Sequence, residues 1–97
     1  MSTLSARLTD AAARFWLLAD ETSGAPGVML ADFATTLAIA AEQPSNRTAD
    51  EALETARRFG DRAERNGVAG SEGMRALFGE MLDAAGLCRL AVVHPEE

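Results

Sequence analysis

Apolar residues return every three or four positions along most of this chain, the spacing that gathers them on one side of a helix turning about 100° per residue. Over about 4–21, Leu4, Leu8, Ala11, Ala12, Phe15, Leu18 and Ala19 share such a face, with Ser2 or Thr3 placed to cap the start. The run stops in Thr22-Ser23-Gly24-Ala25-Pro26-Gly27, a glycine- and proline-bearing turn. A second helix is predicted over about 28–43, with Leu30, Phe33, Leu37, Ala40 and Ala41 facing inward and only Asp32 and Glu42 as charges.

Pro44-Ser45-Asn46-Arg47 reads as a loop. Thr48, followed three residues later by Glu51, forms a capping box in which each side chain satisfies a free backbone N–H of the helix start. The third helix is therefore predicted over about 49–66, with Ala49, Ala52, Ala56, Phe59, Gly60 and Ala63 inward and Asn66-Gly67 closing it. Its inner face is made of small side chains, so bulkier residues from elsewhere must fill that contact. Ser71 caps a fourth helix over about 72–85, where Met74, Leu77, Phe78, Met81, Leu82 and Ala85 form a stripe ended by Gly86. The apolar tail 87–93 fits either a further helical turn or a short extended segment.

The pattern gives an all-α fold: a small up-and-down bundle of about four helices, with a further helical turn or a short extended segment at its C-terminal end. The 97 residues, at 47% apolar and 25% charged, make one helical domain over 1–97 and leave no room for a second.

Nine basic residues, all arginine, stand against fifteen carboxylates for a net charge of −6, so phosphate backbones repel the chain unless its basic residues are segregated. The densest basic cluster is Arg57, Arg58, Arg62 and Arg65 on helix three. Glu54 precedes Arg58 by four and Asp61 precedes Arg65 by four, which supplies helical ion-pair partners and favours a solvated, nearly neutral face. A helix-turn-helix would need base-reading side chains at the start of this helix, where Ala49-Asp50-Glu51 stands instead.

Candidate chemistry is sparse. Without lysine, Schiff-base chemistry and a phosphate-binding loop are excluded, and the only histidine, His94, is hard to hold to catalytic tolerance so near the chain end. Cys88 is single and cannot form an intrachain disulfide; with no signal-peptide pattern in the first thirty residues, a reducing, cytoplasmic setting is expected. Asp10, Arg14, Asp20, Asp32 and Glu42 interrupt every candidate membrane span.

Cys88, His94, Glu96 and Glu97 offer ligand atoms, but their spacing fits no closed zinc pattern. Asp50 and Glu51 are accounted for by the dipole of the helix they begin. Asn46-Arg47-Thr48 matches a glycosylation acceptor that has no use without secretion, and Ser71 lacks the Asp-Ser-Leu signature of a carrier protein. No catalytic residue, cofactor or metal is expected.

The informative anomalies are apolar residues on faces that should be wet. Leu17 projects nearly opposite the Leu8/Phe15/Leu18 face, in line with Asp10, Arg14 and Glu21, and Trp16 stands at the border of that core. Val28 and Ile39 project away from Phe33 and Leu37, beside Asp32 and Thr35. They are ordinary exposed residues, or their helices are buried on both sides, or they form a binding surface. Arg14, Trp16, Leu17, Val28 and Ile39 are the interface candidates. Gly79, midway along helix four, either admits a close partner backbone or has no role.

The expected function is a non-enzymatic protein-interaction module of the adaptor, chaperone or inhibitor kind. It would act through the outer faces of helices one and two on another protein or on a second copy of itself as a homodimer. The alternative is a small DNA-associated regulator using the arginines of helix three.

Overall fold

The computed structural model describes residues 3–94, which form α1 (Leu4–Glu21), α2 (Ala25–Glu42), α3 (Asn46–Arg65) and α4 (Glu72–Val93). Short turns at 22–24, 43–45 and 66–71 fold them into an up-and-down bundle, with no strand among the described residues. The bundle is elongated, 41 × 21 × 21 Å. Neighbouring helices pack side by side and α2 touches α4 across the short diagonal, whereas no Cα of α1 comes within 8 Å of one in α3.

Capping chemistry fixes most of the ends. Thr3 accepts a hydrogen bond from the Ala6 N–H at 3.1 Å and Ser71 accepts one from Met74 N–H at 3.2 Å, each satisfying a donor that the helix leaves free. Ser2 lies outside the described residues. Gly67 takes φ 74° after Asn66, the Gly67 N–H donates to Glu64 O at 3.1 Å and the Val68 N–H to Ala63 O at 2.9 Å. These bonds complete the helix-closing motif expected from Asn66-Gly67.

Two helix starts and one end differ from the sequence reading. The second helix begins at Ala25 rather than 28, because a proline in the first turn gives up only an N–H with no helical partner, so Pro26 starts a helix as readily as it ends the preceding one. The third begins at Asn46, capped by Ser45 and not by Thr48: the Thr48 N–H donates to Ser45 Oγ at 3.1 Å. The earlier start turns Thr48 and Ala49 into the core, and Glu51 meets Arg47 instead of closing a capping box.

The fourth runs through Gly86 to Val93, which resolves residues 87–93 as helix and removes the extended segment. Gly86 is absent from the positive-φ positions, and the cost of about 1 kcal/mol for a glycine inside a helix is outweighed by burying Cys88 and Ala91 beyond it.

The core is one cluster drawn from all four helices. Leu8, Phe15, Leu30, Phe33, Leu37, Met81 and Cys88 are its largest fully buried side chains. The Phe15 and Phe33 rings meet edge to face at 4.9 Å and 87°, locking α1 to α2. On α4 the buried stripe is Met81, Ala84, Ala85, Cys88 and Ala91; Met74, Leu77 and Phe78 are only half-buried and Leu82 is exposed, so the stripe read from the sequence is rotated. The small-residue face of α3 is filled as expected, by the Phe78 ring lying on Gly60.

Candidate interaction surface

The interface candidates fall on α1 and α2, the two helices most closely packed on each other. Trp16 is 44% exposed, Leu17 64%, Val28 62% and Ile39 48%, which excludes burial on both sides at these positions. Gly27 and Ser5 fix how the two helices sit. A Cβ on Gly27 would lie 2.0 Å from Thr22 O, and Ser5 Oγ donates to Ala41 O at 2.7 Å. This antiparallel register sets Trp16 level with the first half of α2.

Arg14 has a different employment. Its Nε donates to Glu80 Oε2 at 2.7 Å and its Nη2 to Glu80 Oε1 at 2.9 Å, a two-pronged pair that ties α1 to α4. The hydrogen bonds and charge of Glu80 hold the Arg14 guanidinium above its ordinary pKa. Arg14 therefore faces away from Trp16 and is occupied within the chain.

The outer stripe of α2 borders an open groove of about 610 Å³ against α3, lined by Asp32, Thr35, Ile39, Asp50, Glu54 and Arg58. The Thr35 and Thr36 hydroxyls donate to Ala31 O and Asp32 O, both at 3.0 Å, so the carboxylates and Ile39 give the groove its character. Next along α3 comes a smaller hollow of about 300 Å³ lined by Met29, Arg58, Asp61, Arg62 and Arg65.

The expected Glu54–Arg58 and Asp61–Arg65 pairs are not formed: among the described residues the ion pairs within 4.0 Å are Arg14–Glu80, Arg47–Glu51 and Arg89–Asp50. Exposed pairs of this spacing are worth only about 0.3–0.5 kcal/mol, so spacing alone does not assure them, and Arg47–Glu51 forms on the same helix where these two do not. Arg62 Nε is buried with no acceptor.

The chain matches no protein-family model, no curated protein and no solved structure.

What this surface can do follows from its own groups. Cys88 is fully buried, and burial pushes its thiol up to about 11, so it is a neutral core residue at physiological pH. Ser45 and Ser71 cap helices, while the Ser5, Thr9 and Thr22 hydroxyls donate to backbone carbonyls. Among the described residues no group of three His, Cys, Asp or Glu side chains could hold a metal ion, and Glu96 and Glu97 lie outside them. Among the described residues no helix is long and apolar enough to cross a membrane.

Sequence reasoning missed two links, both long-range. Arg14–Glu80 is one. The other is Arg89 of α4, which donates through Nη1 to Asn46 Oδ1 at 2.8 Å and through Nη2 to Asp50, pinning the first turn of α3. Nothing in local spacing announces either.

Proposed function

We propose that this protein is a non-enzymatic protein-interaction module that docks on another protein through the outer faces of α1 and α2. The observation that carries this reading is the pair Trp16 and Leu17, adjacent and exposed on a helix whose opposite face is core, with Val28 exposed on the neighbouring helix. Trp is enriched at the centres of interfaces because it brings a large apolar area with few rotamers to freeze. The carboxylate-rich surface, at net charge −6, suits an inhibitor-like role against a basic groove of its target.

The test is affinity capture from the source cell with the wild-type chain, Leu17→Glu and Arg57→Glu. A partner held by wild type and by Arg57→Glu but lost with Leu17→Glu supports the reading. Capture that ignores Leu17→Glu and fails with Arg57→Glu contradicts it.

A second reading, a small DNA-associated regulator, is favoured by one observation: Arg58 and Arg65 do not form the helical ion pairs that Glu54 and Asp61 offer them, and Arg62 forms no ion pair among the described residues. Binding of duplex DNA that weakens steeply with salt would establish it.

A further inference from the structure

The face shared by α2 and α3 is divided by charge. One end holds Asp50, Glu51 and Glu54 beside exposed Ile39, with Asp50 paired to Arg89, Glu51 to Arg47 and Glu54 in no ion pair among the described residues. The other holds Arg58, Arg62 and Arg65, with Asp61 among them, beside Met29, whose sequence neighbour Val28 is exposed. Arg58 borders both hollows, so the two ends form one continuous surface. In a chain of net charge −6, Arg58, Arg62 and Arg65 form no ion pair within 4.0 Å among the described residues, although Asp61 lines the same hollow.

We infer that this face takes a second copy of the chain, deepening the protein-interaction reading by naming the occupant of its α2 side. A twofold axis perpendicular to the helices can cross the face between Asp32 and Thr35 on α2 and between Thr55 and Arg58 on α3. It lays α2 on α2 and α3 on α3 in antiparallel register. Val28 then meets Ile39 of the second copy, and Glu51 and Glu54 meet its Arg62 and Arg58, each contact made twice by symmetry. A head-to-tail copy in parallel register would instead stack acid on acid and arginine on arginine, which costs association. Trp16 and Leu17 stay outside this contact, free for a different protein.

The experiment is sedimentation of the full chain, with circular dichroism and thermal melts as folding controls. Wild type should sediment as a dimer in about 0.1 M salt and dissociate at least about tenfold more readily in about 1 M, where screening shortens from about 10 Å to about 3 Å. Glu51→Arg and Arg62→Glu should each weaken the dimer at least about tenfold, and the doubly substituted chain should regain it.

If Arg62→Glu fails to fold, Glu54→Arg with Arg58→Glu provides the same exchange at exposed positions. A wild-type monomer in about 0.1 M salt, or a dimer that the charge exchange leaves broken, overturns the inference. Leu17→Glu should leave the dimer intact. A dimer lost in Leu17→Glu and untouched by Glu51→Arg would overturn the α2–α3 contact while leaving the protein-interaction reading standing.

Discussion

The α-carbon of Gly27 stands so close to Thr22 that a Cβ added to it would lie 2.0 Å from the Thr22 carbonyl oxygen. Backbone, not a flexible side chain, is in the way, so the turn between α1 and α2 exists only with glycine there. Gly27→Ala should cost at least about 2 kcal/mol, read from urea melts. Gly79→Ala is the control: nothing lies within 4 Å of its added Cβ, and removing glycine from a helix interior should stabilise the chain by about 0.5–1 kcal/mol. Equal melts for the two variants would show that α1 and α2 are not so closely apposed.

Phe15 and Phe33 are the other bond between these helices. Either one changed to alanine should lose about 3–5 kcal/mol, and the two changes should couple by about 0.5–1.5 kcal/mol because the edge-to-face pair is lost only once. Phe78→Ala should cost less, since that ring is half-buried against Gly60. A double-mutant cycle with no coupling would separate the two rings.

Alkaline pH isolates Cys88. The chain has no lysine and no tyrosine, so between about 9 and about 11 no other side-chain type titrates in the ordinary range. Burial raises the folded thiol from 9.0 to about 11, so the unfolded chain releases its proton first and binds fewer protons across that window. Stability is then fully present below pH 9 and should fall by roughly 1.4 kcal/mol per pH unit up to about 11. Cys88→Ala should flatten this slope in denaturant titrations, and thiol reagents at pH 8 should label wild type only after unfolding.

Much of the fold is legible because local signals agree with tertiary ones. Thr3, Ser71 and Asn66-Gly67 act where they stand, and the stripes of α1 and α2 face the core. Where two local signals compete, packing decides. Both Ser45 and Thr48 can cap α3, and the choice falls to Ser45 because burying Thr48 and Ala49 favours the earlier start. Ser45→Ala should therefore cost about 1 kcal/mol through its lost cap. Gly86 reads as a stop, yet nothing local records that Cys88 and Ala91 have core to fill.

The candidate surface divides in the same way. Helical phase turns Leu17, Val28 and Ile39 away from the core and sets Trp16 at its border, while their exposure, which the sequence left open against burial on both sides, is decided by the packing. The engagement of Arg14 by Glu80 depends on how α4 lies against α1, which no spacing within either helix encodes.

The most direct test of the docking surface is quenching of Trp16, the single tryptophan. At 44% exposure its fluorescence should be readily quenched by acrylamide in the free protein, and self-association through α2 and α3 should leave that unchanged. Adding the captured partner should shift the emission to the blue and protect the indole from quencher. A complex that forms by sedimentation while the emission and quenching of Trp16 stay as in the free chain would contradict docking through α1 and α2.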